Sequence, residues 1–172
     1  MWPRRFLTAH LDVSHVEGLI PLEFGQDAVE IPGARNFLSS LDQARAPWAV
    51  VTSGTNALIS GWIKVMDLAQ PKIMVVAEDV DIGKPDPTCY LLGRKRLGLD
   101  EESELLVIED APSGVKAGKA AGFKVIALTT THTVDQVREA GADWIVRDLA
   151  SVSLRQYVNE LVEIEIRDSL VT

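Results

Sequence analysis

Short, unbroken apolar runs recur along this chain at a steady interval. They fall at Trp48–Val51, Ile73–Ala77, Leu105–Ile108, Lys124–Leu128 and Trp144–Val146. Runs of this length without polar alternation mark strands buried on both faces. The stretches between them carry apolar residues at helical spacing instead. Phe37, Leu38 and Leu41 lie on one face of a segment from Pro32-Gly33 to Arg45. Leu58, Ile59, Trp62, Val65 and Met66 do the same from Asn56 to Leu68. Three more helices are predicted over Pro87–Leu97, Ser113–Ala121 and Thr133–Ala140, stopped by Gly98, Gly122 and Gly141. The alternation predicts an α/β fold: a Rossmann-like parallel sheet with helices on both faces.

The two ends depart from this rhythm. Trp2, Phe6, Leu7, Leu11, Val16 and Leu19 form a helical stripe, so residues 1–20 predict a surface helix carrying His10 and His15. Residues 21–31 read as a loop. The tail supports two readings. Leu154, Tyr157, Val158 and Leu161 have helical spacing, whereas Val162, Ile164 and Ile166 alternate with charges as in an edge strand.

Composition narrows the function classes. The 172 residues suit one domain, and 47% hydrophobic residues supply a core. A net charge of −8 argues against a nucleic-acid partner. The single cysteine, Cys89, excludes an internal disulfide framework and a Cys-based zinc site. No apolar run is long enough for a membrane span, and the apolar part of the start is too short and broken for a signal peptide. A soluble, cytoplasmic protein is expected.

Polar motifs follow three of the strands and so share one edge of the sheet, where open α/β folds bind ligands. The strongest is IEDAPSG, in which a buried strand ends in Glu109 and Asp110. Adjacent acids at such a place are costly to desolvate unless a cation sits there. A hard divalent ion, Mg²⁺, is one such cation; simple helix capping by Asp110 or Ser113 is the plainer alternative. VVTSGTN places a hydroxyl, Thr52, and the backbone N–H groups of Ser53 and Gly54 before a helix. This arrangement suits phosphate and also ordinary capping. GKPDP holds Lys84 between Gly83 and Pro85 on a stiffened backbone, suited to a phosphoryl oxygen or an acidic nucleophile, or simply to solvent. Together the three supply most of a phosphoryl-transfer site.

In this order, VVTSGT, GKPDP and VIEDAPSGVKAGKAAG resemble motifs two, three and four of the haloacid dehalogenase superfamily. With EGLIPLEFGQDAVEIPGA and GKPDPTCYLLGRKRLGL, the chain is similar to that superfamily's fungal-type glycerol-phosphatase and 2-deoxyglucose-6-phosphatase group from about Glu17 to Asp148. The resemblance implies a Mg²⁺-dependent phosphatase of small phosphorylated sugars or polyols. It makes Thr52, helped by Ser53 and Gly54, the contact to the transferring phosphoryl group. Lys84 becomes the charge-neutralising catalytic cation and Asp110 the metal ligand. Glu109 is then a ligand or a supporting partner, and Asn56 a substrate contact.

The resemblance also implies a first motif, Asp-x-Asp-Gly-Thr, on a central first strand. Its acids are the nucleophile and the general acid, and a helical cap follows it. The sequence contains no such motif; Asp12-Val13-Ser14 lacks the second acid and the Gly-Thr turn. Residues 1–20 are therefore expected to be a remnant of the cap and 21–172 an incomplete core. The strands Trp48–Val51 and Leu105–Ile108 would face the missing strand. They would pair directly, be bridged by another segment, or leave a poorly stable product. By itself the chain is expected to turn over no phosphate ester. The alternatives are a catalytically dead relative that binds phosphorylated metabolites or a protein partner, self-association through the exposed strand edges, and a truncated gene product.

Overall fold

A computed structural model describes residues 13–170. The N-terminal stripe up to Leu11, His10 included, lies outside the described residues. The helix α1 spans Val13–Phe24 and carries Pro21 inside it. The loop expected from residue 21 thus begins after Phe24. Pro21 is tolerated because it is buried against another helix, α3 (Asn56–Val65), where a Cβ on Gly61 would meet its ring at 2.8 Å. The missing side chain at Gly61 lets the two helices close over the proline, and this packing outweighs the lost backbone bond.

The remaining elements follow the predicted order. They are α2 (Ala34–Gln43), β1 (Ala49–Val51), α3, β2 (Ile73–Val75), α4 (Thr88–Arg96), β3 (Leu106–Glu109), α5 (Pro112–Ala120), β4 (Lys124–Leu128), α6 (Val134–Glu139) and β5 (Trp144–Val146). The predicted strand Ile73–Ala77 ends two residues early. A single 3₁₀ turn, Ala77–Asp79, follows it, and Asp79 accepts the Val76 N–H at 2.9 Å. The tail resolves into an antiparallel hairpin of β6 (Val152–Val158) and β7 (Leu161–Ile166). Asn159 and Glu160 join them at φ 52° and 64°, the backbone sign that a two-residue hairpin turn requires at both positions. That turn, not the spacing of Leu154 to Leu161, decides between the two sequence readings.

All strands of the main layer run parallel, in two groups. β1 pairs with β2, and β3, β4 and β5 pair in that order. β1 and β3 do not pair, and no strand among the described residues lies between them. Direct pairing, one of the outcomes open from the sequence, does not occur. The continuous apolar runs nevertheless meet different fates. Val125, Ile126 and Ala127 of the central β4 are fully buried, whereas Ala49, Val50 and Val51 are only half-buried and Leu106 is 37% exposed.

What joins the groups is side-chain packing. One cluster on the α4–α5–α6 face takes in Val75 of β2, Cys89 and Tyr90 of α4, Val107, Val125 and Ile145. On the other face, Phe37 and Leu41 of α2 pack with Ile126, Leu128, Val146 and Val152. Thus α4 lies across both groups from one side, and its first turn sits beneath the loop that carries Lys84.

Candidate functional site

The site is built at the carboxyl ends of β1 and β3. Beyond β1 the chain turns sharply. Thr52 N–H donates to Val75 O at 2.9 Å, continuing the pairing with β2, and Gly54 N–H donates to Thr52 Oγ1 at 3.0 Å. With that oxygen accepting from its own loop, the Thr52 hydroxyl proton remains available to a ligand. Ser53 is exposed, and its N–H has no partner among the described residues. These groups border a cleft of about 120 Å³ lined by Thr52, Ser53, Ala77, Val80, Gly83, Lys84 and Cys89. That space is enough to admit a phosphoryl group.

The next two amides are already taken. Thr55 N–H donates to Glu17 Oε2 at 2.9 Å, and Asn56 N–H donates to both oxygens of Glu78 at 3.1 Å. Two internal carboxylates therefore occupy the N-terminus of α3, the polarity its dipole favours. The Thr55 amide, followed by the Thr55 hydroxyl, holds the Glu17 carboxyl below its ordinary pKa. The donors this turn leaves open are thereby the Ser53 N–H and the Thr52 hydroxyl. The Asn56 side chain is exposed and accepts from Ser60 Oγ at 3.3 Å, clear of the residues that line the cleft. Glu17 and Glu78 carried no signal in the sequence, because they lie 38 and 22 residues from the amides they bind.

Lys84 is not a solvent-facing turn lysine. Its side chain is 10% exposed. Its ammonium donates to Val51 O at 3.1 Å, forms a short ion pair with Glu109 Oε1, and lies 5.0 Å from the centre of the Tyr90 ring. It therefore spans the end of β1 and the end of β3, which share no backbone bond. The Lys84–Pro85 peptide is cis. The cation that the buried acid required is thus, for Glu109, an ammonium from the neighbouring loop.

Glu109 is fully engaged. Oε1 takes Lys84 and, at 2.5 Å, the Tyr90 hydroxyl; Oε2 accepts the N–H groups of Asp110 and Ala111 at 3.2 and 3.3 Å. A Cβ on Gly114, in the first turn of α5, would overlap this carboxylate. Burial, then the Glu109 charge, push the Tyr90 phenol far above its usual range, so it stays protonated and donates. The Cys89 thiol beside it is also raised, with burial outweighing the opposing pull of the Lys84 charge, and Cys89 belongs to the wall of the cleft.

Asp110 differs from its neighbour. It is half-buried, its Oδ2 accepts from Thr131 Oγ1 at 2.8 Å, and its Oδ1 has no partner among the described residues. No group of three or more His, Cys, Asp or Glu side chains able to hold a metal occurs among those residues. Asp110 is the carboxylate with an oxygen to offer. Mg²⁺ commonly binds through one or two carboxylates while keeping waters and substrate phosphate oxygens in its shell. Asp110 is not among the residues that line the cleft, but its one free carboxylate oxygen at the end of β3 fits such an ion.

A hydroxyl–amide turn, a buried lysine and a strand-end acid thus lie at one edge of a Rossmann-like parallel α/β layer, a set of groups suited to an anion and a metal ion. The comparisons agree. Residues 22–128 match the family model for haloacid dehalogenase-like hydrolases, and the chain belongs to that family. It is 39% identical over 160 residues to glycerol-1-phosphate phosphohydrolase 2 of Saccharomyces cerevisiae, covering 89% of this chain and 64% of that protein. It is 36% identical over 156 residues to 2-deoxyglucose-6-phosphate phosphatase 1 of the same yeast, covering 81% of this chain and 63% of that protein. The crystal structure of a hydrolase from Pseudomonas syringae superposes with a TM-score of 0.68 at 27% identity, over 77% of this chain and 64% of that one. The chain thus spans a little under two thirds of the length of these relatives.

Proposed function

We propose that this chain is the phosphate-gripping part of a Mg²⁺-dependent phosphatase of small sugar or polyol phosphates. The observation that carries the reading is Lys84, locked between Val51 O and Glu109 at the mouth of a phosphate-sized cleft. Its charge is placed before any ligand arrives, so little reorganisation opposes anion binding. The Ser53 amide and Thr52 hydroxyl donate to phosphoryl oxygens from the β1 side. Asp110 Oδ1 holds the metal, and Glu109 serves as the support that aims Lys84. Bound Mg²⁺ would neutralise phosphoryl charge and orient the ester. Thr52 is no nucleophile, because no base among the described residues is bonded to its hydroxyl. The family's Asp-x-Asp-Gly-Thr, which supplies the attacking acid, does not occur in these 172 residues.

The reading separates binding from turnover. In a ¹H–¹⁵N NMR titration with glycerol phosphate and Mg²⁺, the Ser53, Gly54 and Lys84 amides are expected to shift. Thr52→Val should weaken that binding by about tenfold, the worth of one hydrogen bond to a charged group. Hydrolysis of p-nitrophenyl phosphate should stay at background. Turnover abolished by Asp110→Ala would contradict this, as would a titration that leaves Ser53 unmoved.

A second reading, self-association, rests on the edges of β1 and β3 that pair with no strand among the described residues. Such edges accept strands from other chains. Size-exclusion chromatography with light scattering should then show dimers or larger species whose share rises with concentration. A monomer at every concentration tested removes this reading.

No helix among the described residues is long and apolar enough to cross a membrane.

A further inference from the structure

The loop after β4 reaches back to Asp110, and the bonds it makes there form one directed network. Thr131 Oγ1 lies 2.8 Å from Asp110 Oδ2 and 3.1 Å from Asp110 O. His132 Nδ1 lies 3.1 Å from Asp110 O and 2.9 Å from Thr131 Oγ1. A carbonyl oxygen only accepts, so Nδ1 carries the ring proton and donates to it and to the hydroxyl. The Thr131 hydroxyl then has its single proton for the shorter contact, Oδ2. The carboxylate is thereby fixed about its Cβ–Cγ bond, with Oδ1 as its one oxygen lacking a partner.

Resting on the metal reading of Asp110, we propose that Thr131 is a positioning residue that makes this carboxylate a one-oxygen ligand and so favours Mg²⁺ over Ca²⁺. Mg²⁺ demands near-ideal octahedral geometry and a short bond to each ligand oxygen. Ca²⁺ accepts larger, irregular shells and both oxygens of one carboxylate. Holding Oδ2 in a hydrogen bond suits the first ion and obstructs the two-oxygen grip of the second. Outer partners of metal ligands commonly change affinity by about 10–100-fold when removed, so the effect falls within a measurable range.

The test uses the whole chain and needs no turnover. Mn²⁺ is added to ¹⁵N-labelled protein, and the broadening of the amides around Asp110 is reversed by Mg²⁺ or by Ca²⁺. In the wild-type chain, Mg²⁺ is expected to displace Mn²⁺ more effectively than Ca²⁺. Thr131→Val should weaken Mg²⁺ about tenfold while leaving Ca²⁺ nearly unchanged, and Thr131→Ser should restore the wild-type ratio. A loss of general packing would weaken both ions alike and Ser would not rescue it; that result overturns the inference and leaves the metal reading intact. Broadening that is absent in the wild type, or unchanged by Asp110→Asn, overturns the metal reading and the inference with it.

Discussion

Replacing Lys84 by methionine should destabilise this protein by about 3–5 kcal/mol, the usual cost of breaking a buried ion pair from one side. The ammonium and the Glu109 carboxylate are 10% and 8% exposed, so little water is at hand to replace either partner. Methionine keeps most of the stem volume over the Tyr90 ring but leaves Glu109 charged beside one phenol and two amides. The loss also removes the side-chain bridge to Val51 O, which ties β1 to the β3 end. In urea denaturation the midpoint should fall with the slope unchanged, since the surface exposed on unfolding stays the same. Adding Glu109→Gln should recover part of the loss, because the neutral amide keeps the Tyr90 contact without a bare charge. A single mutant within about 0.5 kcal/mol of wild type, the range of ordinary surface changes, would show that the pair is not formed in solution.

Gly114→Ala is the second large effect, and its sign runs against helix propensity. Alanine in a helix interior gains about 1 kcal/mol over glycine. Here the added methyl would occupy the space of the Glu109 carboxylate. That group has no room to yield, being held at once by Lys84, Tyr90 and the amides of Asp110 and Ala111. Overpacking of this kind costs about 1–3 kcal/mol, and displacement of the ion pair adds to it. Overpacking less propensity gives a net loss of up to about 2 kcal/mol before the displaced ion pair is counted, read as a lowered melting temperature. Gly83→Ala serves as the control. A Cβ there meets nothing within 4 Å, and the change should stay within about 0.5 kcal/mol. If both variants behave alike, the contact between α5 and Glu109 is not what requires Gly114.

The two variants address one device, in which the site's charge is organised by its own residues. Glu109 aims Lys84, and Gly114 admits Glu109. Glu17 and Glu78 occupy the amides of Thr55 and Asn56 at the start of α3, which leaves the Ser53 N–H as the open amide of that turn. Asp110, left with one free oxygen, is the member of the acidic pair suited to a metal.

The local signals were legible in the sequence. Unbroken apolar runs gave the strands and their parallel class, and glycine stops placed the ends of α4, α5 and α6 within a residue or two. Such features depend on neighbours in the chain, so they survive without knowledge of the fold. The placement of Thr52, Ser53, Lys84, Glu109 and Asp110 at one sheet edge also followed, because parallel strands bring all their carboxyl ends to the same side. Pro21 shows the limit. Its helix persists because Gly61 of α3 leaves room for the ring, a fact held by a residue forty positions away.

The tertiary structure alone decided the partners. Lys84 and Glu109 lie 25 residues apart, Glu17 and Thr55 lie 38 apart, and Thr131 and Asp110 lie 21 apart. No periodicity links such pairs; each exists because loops from different strands converge. The sequence could say that a buried acid needs a cation, since desolvation follows from residue type and strand position. It could not say which cation, since that depends on which side chain reaches the acid first, and here it is the lysine of the neighbouring loop.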